Sequence, residues 1–234
     1  MCTVTYLPLG NNDFILTSNR DETPLRTTIK PKEYIENGVT LTYPKDKLAG
    51  GTWIGLSDRK RLVCLLNGGF KNHTKKSSYK MSRGIIVKNI LSAVNGVSFI
   101  EEFDFLDIEP FTLILVDWGL QLETYELVWD GEKKHFNKLN QEPKIWSSST
   151  LYTTEMKQLR KQWFKDWLQK NKIFKQENVL KFHKSENLGT PETSIKMKRD
   201  FVETVSVTSV IKEESKVAIS YFDFVEKLEK LSNV

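Results

Sequence analysis

The feature that most constrains this 234-residue chain is a series of short β-rich runs set in neighbouring pairs around turn signals and interrupted by segments of helical spacing. Residues 3–7 and 14–18 flank Gly10-Asn11-Asn12-Asp13, a pattern that predicts a hairpin with a loop of about four residues. Residues 52–56 and 61–66 follow the Gly50-Gly51 turn as a second hairpin, and residues 112–116 and 120–128 lead to the turn dipeptide Asp130-Gly131. Residues 204–211 and 216–224 predict a last hairpin around Glu213-Glu214-Ser215. The 84–94 segment places Ile85, Ile86, Ile90 and Leu91 on a helical stripe, and 98–105 reads as a short second helix. In 154–171, Met156, Leu159, Trp163, Phe164, Trp167 and Leu168 recur at spacings of three and four, predicting a helix with one apolar face, and 175–183 extends the helical layer. Residues 19–47, with Pro24, Pro31 and Pro44, predict surface loop around one extended piece at 38–43, and 188–199 predicts a polar loop. This order predicts an α+β protein with two packed sheets and helices outside, an αββα layering. With no repeat or low-complexity linker, a single domain over residues 1–234 is expected.

A net charge of +5 is diluted along the chain, and no stripe of Arg interleaved with aromatic residues suggests a nucleic-acid partner. Cys2 and Cys64 are the only cysteines, too few for a disulfide framework. The first residues lack a secretory pattern, and no apolar run reaches the roughly 18 residues that span a bilayer. A soluble cytoplasmic protein without stable membrane insertion is expected. No Cys/His spacing suits zinc, and Gly50-Gly51 lacks the Lys-Ser/Thr of a phosphate loop, so neither a metal nor another cofactor is expected.

Chemistry begins at Cys2. Its small side chain permits removal of Met1, which would leave a thiol and a free α-amine on one residue. Such an amine titrates near pH 8, so it can act as a base without an imidazole. His73, His135 and His183 are each read as ordinary surface residues, and Cys64, flanked by Val63 and Leu65, as a buried small hydrophobe. Asn19-Arg20-Asp21-Glu22 follows the second predicted strand, and the hairpin returns it beside the start of the first. There Arg20 could favour the thiolate and bind an acyl or carboxylate group, and Asp21 could orient the α-amine. Asn67, after the 61–66 strand, is either an amide donor to a tetrahedral oxyanion or part of an Asn67-Gly68-Gly69 turn.

The string Ser18-Asn19-Arg20-Asp21-Glu22 resembles the signature of the NRDE family, also called the transport and Golgi organisation protein 2 family. The likeness extends to Cys2, to Gly50-Gly51-Thr52-Trp53-Ile54-Gly55 and to Leu65-Leu66-Asn67, covering the first third of the chain. That family is similar to the cysteine N-terminal-nucleophile hydrolases, including penicillin V acylase and bile salt hydrolase. The resemblance implies their four-layer αββα sandwich, Cys2 as nucleophile and base, Arg20 as a substrate-binding and thiol-tuning group, and Asp21 as the amine-orienting group. It implies hydrolysis of a non-peptide amide on a small molecule, with Asn67 the candidate oxyanion donor; Asn19 and Arg20 are the candidate substrate-binding residues, and Ser148 and Ser149 could donate a hydroxyl to the substrate or simply form a polar strand end. The second half departs from the acylases: Ser147-Ser148-Ser149-Thr150 stands where they supply another Asn, and 204–211 lacks an Arg. The family's association with haem mobilisation and acyl-lipid homeostasis implies an alternative, a carrier for a hydrophobic ligand in the same pocket. The oligomeric state is left open.

Overall fold

The computed structural model describes residues 3–225. In chain order the elements are β1 (Thr3–Gly10), β2 (Asp13–Glu22), β3 (Thr28–Glu36), β4 (Val39–Asp46), β5 (Ile54–Ser57), β6 (Arg61–Asn67), α1 (Arg83–Ser92) and α2 (Gly96–Glu102). Then come β7 (Phe111–Asp117), β8 (Glu123–Trp129), β9 (Lys134–Leu139), β10 (Lys144–Ser147), α3 (Thr154–Lys170), α4 (Gln176–His183), β11 (Glu203–Glu213) and β12 (Lys216–Asp223). They form two compact units, one of Met1–Arg26, Glu142–Ser147 and Tyr152–Val234, the other of Thr27–Gln141 and Ser148–Leu151.

The first unit holds an antiparallel sheet in the order β10-β1-β2-β11-β12. The β1–β2 hairpin is tighter than expected: Gly10 pairs with Asp13, and Asn11 and Asn12 both take positive φ, as a two-residue turn matched to strand twist requires. That turn, together with a register shift at Leu9, sets Thr3 opposite Asn19. A second correction follows, because β2 does not stop before Asn19. It runs on to Glu22, since β11 supplies partners for its polar end, Thr204 for Asp21 and Ser206 for Arg20. Between those two pairs the register shifts by one residue at Val205.

Leu7, Ile15 and Ile145 of this sheet pack against Phe164 of α3 and Val179 and Phe182 of α4. Thr153 caps α3 by accepting from the Met156 amide, and Phe164 and Trp167 stack at 6.0 Å. The apolar face of α3 differs from the expectation at two positions: Leu159 is 47% exposed, and Arg160 is fully buried. Residues 188–199 form neither helix nor strand, as expected of a loop, yet Ser194, Ile195 and Met197 are buried, so this segment is part of the core.

The second unit is an antiparallel meander, β3-β4-β5-β6-β7-β8-β9. Helices α1 and α2 contribute Ile86, Val87, Ile90, Leu91 and Ile100 to a core shared with Val63, Leu65, Leu113 and Leu127. Burying each such side chain stabilises by about 1.5–3 kcal/mol. The Gly50-Gly51 turn has a packing reason. A Cβ on Gly51 would lie 2.8 Å from the Gly84 backbone, and the Thr52 amide donates to the Gly84 carbonyl, so the strand entrance and the start of α1 touch main chain to main chain. Cys64 is fully buried on β6, as its apolar neighbours predict. Part of the expected loop at 19–47 is instead β3. It is an edge strand, half-exposed along its length, with Pro31 at an irregularity in its pairing with β4, where a missing N–H is tolerated.

Candidate active site

Asp21 is buried near the end of β2. The Tyr152 hydroxyl donates to one carboxylate oxygen at 2.6 Å, and the Thr204 hydroxyl donates to the other, also at 2.6 Å. Hydroxyl bonds this short to a carboxylate are the strong, charge-assisted kind, so the carboxylate is held in one orientation. Thr204 accepts in turn from the Met197 amide, which fixes its own rotamer. Arg20 precedes Asp21 and therefore points to the opposite face of the strand. It is buried, and one guanidinium nitrogen donates to the Arg26 carbonyl at 3.1 Å.

Asn19 has no solvent exposure. Its amide nitrogen donates to the His183 carbonyl at 3.0 Å and to the Ile195 carbonyl at 2.9 Å. With both donors engaged, the Asn19 side-chain oxygen is the acceptor for His183 Nδ1–H, and His183 Nε2 accepts from the Thr5 hydroxyl at 2.7 Å. Asn19 thus ties β2 to α4 and the following loop. His183 corrects the expectation of a surface residue. Burial, and then the charge of Arg160, depress its pKa from 6.5 to about 3, so the ring is neutral over the physiological range. His135 is part-exposed beside Asp130, as expected, whereas the His73 side chain is largely buried beside Glu109.

Arg160 is a site residue that the sequence pattern did not reveal. From α3 it donates to the Thr3 hydroxyl and to the Thr193 and Ser194 carbonyls, and its guanidinium lies 3.7 Å from the centroid of the Tyr152 ring. Thr3 is the covalent neighbour of Cys2, which itself lies outside the described residues. Arg160, Tyr152, Asp21 and Thr204 therefore form one continuous buried chain of contacts. The missed signal is positional: Arg160 lies four residues after Met156 and four before Phe164, on the apolar stripe of α3.

The remaining candidates belong to the second unit. Asn67 ends β6 half-buried, and the chain bends after it, with Gly68 at φ +87°. The Ser148 hydroxyl donates to the Asn67 carbonyl at 2.8 Å, and that of Ser149 donates to the Gly69 carbonyl. These two hydroxyls brace the bend after Asn67. The structure thus gathers Asn19, Arg20 and Asp21 in one unit and Asn67, Ser148 and Ser149 in the other. Among the described residues, no helix is long and apolar enough to cross a membrane.

The fold is one that solved acylases share. A Caenorhabditis elegans orthologue of N-acylethanolamine-hydrolysing acid amidase superposes with a TM-score of 0.63 at 13% identity, covering 90% of this chain and 92% of that one. Penicillin V acylase from Agrobacterium tumefaciens gives 0.51 at 11% identity over 97% and 87% of the two chains. A variant of the conjugated bile acid hydrolase of Clostridium perfringens gives 0.53 at 9% over 96% and 93%. These likenesses show the expected α+β fold of the N-terminal-nucleophile hydrolase type. A search of curated proteins returned no match. Residues 1–223 match the family model for transport and Golgi organisation 2, and the chain belongs to that family.

Proposed function

We propose that this chain is an N-terminal-cysteine amidohydrolase that cleaves a non-peptide C–N amide bond through an acyl-enzyme on Cys2. The observation that carries the reading is the Asp21 carboxylate, fixed by Tyr152 and Thr204 on the strand that pairs with Thr3. Each carboxylate oxygen retains acceptor capacity beyond those two bonds, enough to receive an N–H from an α-amine. The fold shared with known acylases supports the same reading.

Removal of Met1 gives Cys2 its α-amine. The neutral amine takes the thiol proton, and the thiolate attacks the amide carbon, forming the C–S bond as the carbonyl oxygen becomes an oxyanion. One amide donor to that oxyanion is worth about 3 kcal/mol in comparable sites, and Asn67 is the candidate that the sequence offers. The ammonium then returns its proton to the leaving nitrogen as the C–N bond breaks. Water attacks the thioester with the amine again as base, releasing the acid and the thiol. Asp21 keeps the amine oriented throughout, Arg20 favours the thiolate and binds the substrate, and Arg160 positions the strand start through Thr3.

Intact mass of the natively expressed protein tests the first requirement. Loss of one methionine is expected, and folded protein retaining Met1 overturns the mechanism. Incubation with a panel of N-acyl amides should give turnover and a trappable acyl adduct, both abolished by Cys2→Ala.

A second reading, a carrier for haem or an acyl lipid, is favoured by a cavity of about 740 Å³ in the first unit, bordered by Lys196, Met197, Lys198, Thr204 and Phe224. That volume suits a small-molecule pocket. A carrier keeps its ligand affinity in Cys2→Ser, with haem titration as the readout.

A further inference from the structure

Two buried hydroxyls in the first unit lack an answer in the protein. Ser206 Oγ and Thr208 Oγ1 have no hydrogen-bond partner among the described residues, and each residue is 1% exposed. Buried polar groups are normally paired, so two unpaired hydroxyls in succession on one strand point to a group that comes from outside.

Register places them. In β11, Ser206 lies opposite Arg20 and Thr208 opposite Ser18, and directly opposed residues project from the same face of a sheet. The shift at Val205 produces this arrangement: Thr204 stays on the side of Asp21, whereas Ser206 and Thr208 fall on the side of Arg20. Residues i and i+2 of a strand lie roughly 7 Å apart. Two hydrogen bonds of about 2.7 Å, reaching to the two oxygens of one carboxylate, bridge that separation. A carboxylate can accept from both hydroxyls and from a guanidinium, and it suits the cationic character of this face. An ammonium group or a purely apolar one does not.

We propose that Ser206 and Thr208, with Arg20, form a recognition site for a carboxylate carried by the substrate. Resting on the hydrolase reading above, this narrows the substrate class to amides bearing an acid group, such as N-acyl amino acids.

The test uses the full chain with Cys2→Ala, so that binding is measured without turnover. Calorimetric titration compares N-lauroylglycine with N-lauroylglycinamide, which lacks the negative charge. At least tenfold tighter binding of the acid is expected. The double variant Ser206→Ala, Thr208→Val should lose that preference while melting at the same or a higher temperature, because unpaired hydroxyls are removed from the interior. Thr208→Ser, which keeps the hydroxyl, should retain it, and provides the comparison should the double variant fold poorly. Equal affinity for acid and amide in the parent, or a preference that survives the double substitution, overturns the site. So does a lower melting temperature with unchanged preference, the mark of a structural role. Turnover of N-lauroylglycine by the Cys2 protein is measured separately. Preference without turnover sinks the hydrolase reading and keeps the site, and turnover without preference does the reverse.

Discussion

His183→Gln should flatten the acid side of the protein's stability profile. In the folded chain His183 titrates at about 3, against 6.5 when it is free. Between those values the unfolded chain holds a proton that the folded one does not, so stability is complete above about pH 6.5 and falls as the pH drops toward 3. A tenfold change in proton affinity is worth about 1.4 kcal/mol, so this one residue should remove roughly 1.4 kcal/mol by pH 5.5 and about 3 kcal/mol by pH 4. Carboxylates titrate in the same range; Glu123, for example, is held down to about 2 by its hydrogen bonds to Lys138, then Gln121 and Tyr125. The informative quantity is therefore the difference between wild type and variant. Glutamine cannot titrate but can still donate to Asn19. Urea unfolding at half-unit steps from pH 7.5 to 4 should show the variant less stable at neutral pH and the two curves converging as the pH falls. Parallel curves would refute the assignment of a neutral, buried His183.

Three further substitutions test the packing and the site. Tyr152→Phe removes the donor to Asp21 and should cost about 1.5–3 kcal/mol by chemical denaturation, with turnover falling more than KM changes. Gly51→Ala should cost about 1–3 kcal/mol, since its Cβ meets the Gly84 backbone at 2.8 Å and main chain must shift; an unchanged melting temperature would contradict that contact. On α3, Phe164→Ala should cost about 3–5 kcal/mol, whereas Leu159→Gln, although on the same apolar stripe in sequence, should stay within about 0.5 kcal/mol.

Much of the scaffold was legible because local rules and burial agree there. Alternation and turn residues mark β1, β2, β5, β6, β7, β8, β11 and β12, and helical spacing marks α1 and α3. The elements that stayed hidden are β3 and β9 at the sheet edges, and the four-residue β10. The edge strands are half-exposed and carry polar residues on both faces, so their pattern resembles loop. At the site, Arg20 and Asp21 were readable from the motif around them, but their placement inside a strand was not, because it depends on β11, which lies more than 180 residues away in the chain. Arg160 and His183 were hidden for a related reason. A charged or ionisable side chain is read as surface unless its partners are known, and here those partners, Thr3, Thr5 and Asn19, come from the opposite end of the sequence.

Val205 is the one position of this strand whose removal would leave the pairing intact: without it Ser206 would follow Thr204 directly and still fall opposite Arg20, as in a ladder with no bulge. Deleting a residue beyond the bulge, Val207 for example, would instead exchange the two faces from that point on, turning Thr208 and Val210 to the side now occupied by Val207, Ser209 and Ile211. Viable natural variation beyond the bulge should therefore take the form of replacement, with insertions and deletions confined to the bulge itself and to the β11–β12 turn at Glu214.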